Sequence, residues 1–143
     1  MKVGLVGKPN AGKSTFFSAA TAADAQIGDY PFTTITTNVG VAHVRRECPC
    51  TSLEVECNPH NSPCLDGTRY LPVELVDVAG LVPGAHEGKG MGNQFLDDLR
   101  QADVLIQIVD ASGNTDLEGN HAEGADPIAE VEFLAGEVHQ WLA

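Results

Sequence analysis

The run Gly7-Lys8-Pro9-Asn10-Ala11-Gly12-Lys13-Ser14 constrains this chain more than any other feature. It fits G-x-x-x-x-G-K-[S/T] and stands between a short apolar run, residues 3–6, and an alanine-rich segment, residues 13–23. Phe16, Phe17 and Ala20 recur in that segment at helical spacing. Strand, glycine turn and helix in that order make a phosphate cradle. The glycines let the backbone wrap an anion with its N–H groups inward, and the helix N-terminus adds positive partial charge. In such a cradle Gly7 to Thr15 bind the phosphates. Lys13 supplies a point charge to the β- and γ-phosphates, and the Ser14 hydroxyl can bind Mg²⁺. A chance match in a glycine-rich turn is the competing reading, and the flanking strand and helix weigh against it.

The rest of the chain supplies a fold for that turn. Residues 39–45 alternate as a strand, 71–77 form an apolar strand ending in Asp77, and 104–109 form a buried strand followed by Asp110. Residues 93–101 read as a short helix with Phe95, Leu96 and Leu99 on one side. Asp126-Pro127 reads as an N-cap and first helical residue, followed by Ile128, Val131, Leu134, Val138 and Trp141 as an apolar stripe. The glycine-rich segment 78–92 reads as a mobile loop. The expected fold is an α/β P-loop domain with a central, mostly parallel sheet flanked by helices. Its four strands, in chain order, should lie second-third-first-fourth, with the second antiparallel. At 143 residues and 43% hydrophobic content the chain is one domain's worth.

Composition narrows the function classes. No apolar run approaches the length needed to span a bilayer. The N-terminus lacks the layout of a signal peptide, so the expectation is a cytoplasmic protein without membrane contact. With 20 acids against 8 bases the net charge is -12, a poor surface for direct nucleic-acid binding and a good one for solubility in high salt.

Three further features point to a switch-type nucleotide hydrolase. Asp77-Val78-Ala79-Gly80 ends a strand, where the acid can hold the Mg²⁺ shell and the Gly80 N–H can meet the γ-phosphate. Alone this pattern is weak, since Asp and Gly at a strand end often form a turn; after a P-loop it is strong. Thr33-Thr34 lies between the first helix and the second strand, where a switch loop would offer Thr34 to Mg²⁺; a strand-entry threonine is the plainer reading. Asp110 is a ligand-edge acid or a strand-end turn acid.

Gly7 to Thr15, Asp29-Tyr-Pro-Phe-Thr-Thr34, Asn38-Val-Gly40, the run from Asp77 to Gly90 and Asp97-Asp98-Leu99-Arg100-Gln101-Ala102-Asp103 together resemble the Obg family of translation-factor GTPases. Within it they are most similar to the YchF-related branch of archaea and eukaryotes, over nearly the whole chain. The resemblance implies a Ras-like G domain that binds and hydrolyses GTP as a switch, linked to the ribosome or the translation machinery. Residues 1–143 then read as the N-terminal part of that domain, with a cysteine-containing insert at 47–69; later strands and C-terminal domains are absent. No Asn-Lys-x-Asp box for guanine occurs in the chain. An ATP-preferring YchF-like ATPase therefore stays open, as does a truncated nucleotide-binding or interaction module without turnover.

The resemblance also implies a departure from Ras-like catalysis. Leu81 stands where a water-orienting Gln would stand, and Leu cannot orient water. His86 in the glycine-rich loop is one candidate for that role, and a solvated loop histidine is the equal alternative. Asn10 stands where related GTPases hold K⁺, which would stimulate turnover by doing the electrostatic work of an arginine finger. The arginines, Arg45, Arg46, Arg69 and Arg100, all lie outside the switch loops.

Cys48, Cys50, Cys57 and Cys64 share one short loop. Cytosolic proteins rarely carry structural disulfides, so the alternatives are a structural Zn²⁺ site, with His60 as a spare ligand, or unligated thiols. The spacing C-x-C-x₆-C-x₆-C lacks the usual C-x₂-C pair. The loop joins two strands running away from and back to the nucleotide, which puts the cluster at the far end of the sheet.

Overall fold

β1 (Lys2–Val6) is the central strand. In the computed structural model, which describes residues 1–22, 39–87 and 92–142, its side chains alternate between two cores, as a pleated strand buried on both faces requires. Val3 and Leu5 join Leu75 beneath Phe17 and Ala20 of α1 (Lys13–Ala22). Val6 joins Val78, Leu81, Ala85, Phe95 and Leu134 on the other face.

The sheet order is β2 (Val39–Glu47), β4 (Thr68–Asp77), β1, β5 (Val104–Gln107). β1 runs parallel to β4 and β5, and β2 runs antiparallel to β4. This is the order and direction expected from sequence. β2 and β4 form a long ribbon, paired from Val39↔Val76 to Glu47↔Thr68. β5 pairs only with β1 among the described residues, and Val104, Leu105 and Ile106 are substantially exposed along it.

Three local expectations need correction. The insert, expected as a loop or small subdomain without periodicity, carries regular elements. It contains α2 (Pro49–Leu53), opened by Pro49 with its preset φ and closed by Glu54 in the left-handed region, and β3 (Cys64–Leu65), which pairs with β4. Asp66 and Gly67, both at positive φ, join β3 to β4 by a two-residue hairpin turn. Second, the part of the glycine-rich segment that is described, 78–87, is packed: Val78, Leu81 and Ala85 are fully buried, and Ala85–Glu87 form a 3₁₀ turn. Residues 88–91 lie outside the described residues, as do 23–38 with Asp29, Thr33, Thr34 and Asn38. α3 (Gly92–Gln101) then buries Phe95.

Third, the inward face of α4 (Pro127–Leu142) differs from the apolar stripe. Asp126 does cap it, its Oδ1 accepting the Ile128 N–H at 2.9 Å. But Ile128 and Val131 are exposed, at 66% and 46%. Glu130, Phe133, Leu134 and Glu137 turn toward the sheet instead, at the i, i+3, i+4, i+7 spacing of one helix face. Two acids in that face are admitted because each meets a partner across the interface.

Candidate functional site

The C-terminal ends of β1 and β4 lie side by side, with Leu5 opposite Asp77, so the glycine turn after β1 and the acid ending β4 meet at one edge. Gly7 is required there by close approach: a Cβ would stand 2.4 Å from the Ile108 carbonyl oxygen. The turn passes into α1 through the Phe16 N–H to Gly12 carbonyl bond at 2.9 Å. Ser14 Oγ donates to Asp77 Oδ2 at 2.6 Å, joining the first turn of α1 to the end of β4. The Lys13 Nζ donates to the Lys8 carbonyl at 2.8 Å. Burial holds the Lys13 ammonium below the ordinary lysine value, against the charges of Asp77 and Glu130, which favour its charged form.

The chain after Asp77 folds back on the turn. The Val78 N–H bonds the Leu5 carbonyl at 3.2 Å and the Leu81 N–H bonds the Gly7 carbonyl at 3.0 Å. Gly80 is thereby set against Pro9: a Cβ on Gly80 would stand 3.0 Å from it. The Leu81 side chain is sealed in the core at 1% exposure, so it has no access to solvent.

Lys8 points the other way, into the protein, at 3% exposure. Its Nζ meets Glu130 Oε2 at 3.0 Å, the Thr115 carbonyl at 2.8 Å and Asp110 Oδ2 at 4.0 Å. Asp110 also accepts from the Ser112 hydroxyl at 2.6 Å, from the Ser112 N–H at 3.0 Å and from the Thr115 hydroxyl. The Ser112 and Thr115 hydroxyls, aided by Lys8, hold its carboxyl down at about 2. Asp110 therefore fastens the turn after β5 and helps neutralise Lys8, which is the role of a strand-end turn acid.

The segment after Asp110 packs on the phosphate turn. Gly119 lies at φ +83 and so close to Pro9 that a Cβ would come within 2.8 Å. The Asn10 Nδ2 donates to the Gly119 carbonyl at 2.9 Å, and Asn10 itself sits in the left-handed region. That bond fixes the amide's orientation and leaves Oδ1, the atom a cation would take, as its remaining polar atom.

His86 is held. Its Nδ1 lies 2.7 Å from Glu137 Oε2, its backbone N–H donates to the same oxygen at 3.1 Å, and the Gly84 N–H donates to Oε1 at 2.9 Å. Burial works to raise the Glu137 carboxyl, but these hydrogen bonds outweigh it and hold the carboxyl below its ordinary value. Glu130 and Glu137 were not singled out from sequence. The signal for them was their register with Phe133 and Leu134 on α4.

The four cysteines converge at the opposite end of β4 from Asp77, as expected. Their Sγ atoms all lie within 4.8 Å of one another, with Cys48 to Cys57 at 3.6 Å and Cys50 to Cys64 at 3.8 Å. Arg69 donates to Cys48 Sγ at 3.4 Å and to Cys57 Sγ at 3.6 Å. His60 is exposed and does not join the group.

The chain belongs to the family of 50S ribosome-binding GTPases, whose sequence model matches residues 2–134. An uncharacterized GTP-binding protein of Methanocaldococcus jannaschii is 62% identical over 140 residues, which are 98% of this chain and 36% of that protein. Among solved structures, a GTP binding protein from Pyrococcus horikoshii is 42% identical with a TM-score of 0.72, over 99% of this chain and 33% of its own. The YchF GTPase of Schizosaccharomyces pombe is 33% identical with a TM-score of 0.55, over 96% of this chain and 35% of its own. The resemblance to the YchF and Obg type thus holds, and the chain spans about a third of the length of these relatives. Among the described residues no helix is long and apolar enough to cross a membrane.

Proposed function

We propose that the protein binds GTP with Mg²⁺ and hydrolyses it to GDP and phosphate as a switch in the cytoplasm, engaging the ribosome or translation machinery. The observation that carries this reading is the 2.6 Å contact of Ser14 Oγ with Asp77 Oδ2 beside Lys13, in a chain of this family. A hydroxyl and a carboxylate brought together at the mouth of a phosphate loop fit the donor set that Mg²⁺ takes in P-loop enzymes. Ser14 and Asp77 would hold the ion with Thr34, and the ion supplies charge neutralisation at the β- and γ-phosphate oxygens. GTP is favoured over ATP because these relatives are named for GTP.

In this reading the backbone of Gly7 to Thr15 wraps the phosphates, Lys13 leaves the Lys8 carbonyl for the phosphate oxygens, and the Gly80 N–H meets the γ-phosphate. Water attacks the γ-phosphorus and the β–γ bridging oxygen departs with GDP. Leu81, sealed in the core, cannot orient that water. His86 takes the role, and Glu137 positions its ring through Nδ1, so that Nε2, which lies 3.9 Å from Glu87 Oε1, faces the water. The Oδ1 of Asn10, oriented by the Nδ2 bond to the Gly119 carbonyl, fits K⁺, which would add positive charge beside the phosphates and stimulate turnover. The thiol cluster takes no part in this chemistry. Phosphate release with Mg²⁺ and K⁺, measured for wild type and for Lys13→Ala, tests the reading: turnover that the substitution leaves unchanged would remove the site.

A further inference from the structure

We propose that Cys48, Cys50, Cys57 and Cys64 hold one tetrahedral metal ion of the zinc class, and that Arg69 positions and neutralises this thiolate cage. The sulfur geometry is the first ground. A four-coordinate zinc with Zn–S bonds of about 2.3 Å sets its sulfurs about 3.8 Å apart along each edge of the tetrahedron. The Cys48–Cys57 and Cys50–Cys64 sulfurs stand at 3.6 and 3.8 Å, and all four atoms lie within 4.8 Å of one another. A disulfide would need about 2.05 Å.

The second ground is what the cluster joins. Cys48 follows β2, Cys50 lies in α2, Cys57 in the irregular stretch that follows, and Cys64 opens β3. This insert has little apolar core of its own: Leu53, Val55 and Leu65 are at least half exposed. A short segment without a core needs a staple, and a metal ion tying four separate points supplies one. Four protein sulfurs leave no position for water, which makes the site structural.

The third ground is the charge around it. Four thiolates on a divalent ion leave a net charge of about −2, which is costly unless hydrogen-bonded or paired. Arg69, extending from β4, donates to Cys48 and Cys57. These are the outer contacts that fix and stabilise metal-bound thiolates. Arg69 also donates to the Ser62 hydroxyl at 3.1 Å, which locks its side chain in the insert.

The test uses the complete protein, purified under reducing conditions without chelator. Elemental analysis should find about one zinc per chain, and replacement by Co²⁺ should give the intense visible bands of tetrahedral thiolate-bound cobalt. Cys57→Ser and Cys64→Ser should each lose the metal to a chromophoric chelator at least about tenfold faster, as should Arg69→Ala, with partial rescue by Arg69→Lys. Native protein without stoichiometric zinc whose four thiols react freely, a mass showing two disulfides, or iron in place of zinc would each overturn the proposal. The cobalt spectrum needs no substitution, so a variant that fails to fold leaves it standing as the deciding readout.

Discussion

Glu130 and Glu137 stand two helical turns apart on one face of α4, and each grips a different segment, the turn after β1 and the 3₁₀ turn Ala85–Glu87. Glu130 Oε2 holds Lys8 of the phosphate turn at 3.0 Å, and Glu137 Oε2 holds His86 of the glycine-rich segment at 2.7 Å. Seven residues advance a helix by about 10 Å with nearly two full turns, so one rigid element carries both contacts. The phosphate turn and the His86 turn are thereby fixed relative to each other through α4, which lies far from both in sequence.

The Lys8–Glu130 pair is buried on both sides, and Glu130 Oε1 has no hydrogen-bond partner among the described residues. Removing one member leaves a desolvated charge. Glu130→Ala should therefore destabilise the fold by about 3–5 kcal/mol, toward the lower end because Asp110 stays near Lys8. Lys8→Met combined with Glu130→Leu should recover most of it. Urea denaturation measures both; a loss below about 1 kcal/mol for Glu130→Ala would place the pair among screened surface bridges.

His86→Ala and Glu137→Gln should each lower turnover by about 10²-fold while leaving nucleotide affinity within a few-fold. If Glu137 acts through His86, the double variant should be no slower than His86→Ala alone. Single-turnover hydrolysis checks this, and multiplying defects would show that Glu137 acts independently of the ring.

Replacing Na⁺ by K⁺ at constant ionic strength should raise turnover, and Asn10→Ala should abolish the rise. Because Asn10 also bonds the Gly119 carbonyl, Asn10→Asp serves as a second variant that keeps an oxygen in place. Equal rates in both salts for the wild type would remove the cation and leave an arginine from a partner as the source of positive charge.

Asp110 carries a pH signature. Its folded carboxyl titrates at about 2, below an unfolded value of about 3.9. Its contribution to stability is therefore fully present above pH ~4 and is lost as pH falls toward 2. Asp110→Asn should flatten that part of the stability-versus-pH curve, measured by denaturation at successive pH values. An unchanged slope would show that the Ser112 and Thr115 hydroxyls do not favour the charged form.

Much of this was legible because the informative signals were local. The turn from Gly7 to Ser14 announces itself through glycine positions and a following helix, and the strands were legible as apolar runs, although the one expected over 104–109 ends at Gln107 and is largely exposed. Asp66-Gly67 was equally local, a two-residue hairpin signal that the cysteine-rich surroundings obscured. Glu130 and Glu137 were hidden for a different reason. Hydrophobic periodicity assigns acids to the outer face of a helix, and only the distant Lys8 and His86 make their burial tolerable. The docking of Gly119 on Pro9 is likewise a contact between segments far apart in the chain, with no pattern of its own.

The central claim is that the turn from Gly7 to Ser14 cradles a triphosphate whose charge Lys13 meets. Calorimetric titration of the complete protein with a non-hydrolysable GTP analogue and Mg²⁺ tests it most directly. Lys13→Ala removes a phosphate contact without touching either core, so affinity should fall at least about tenfold while thermal stability without nucleotide stays close to wild type. Equal affinity in the variant and the wild type would contradict the assignment of the site.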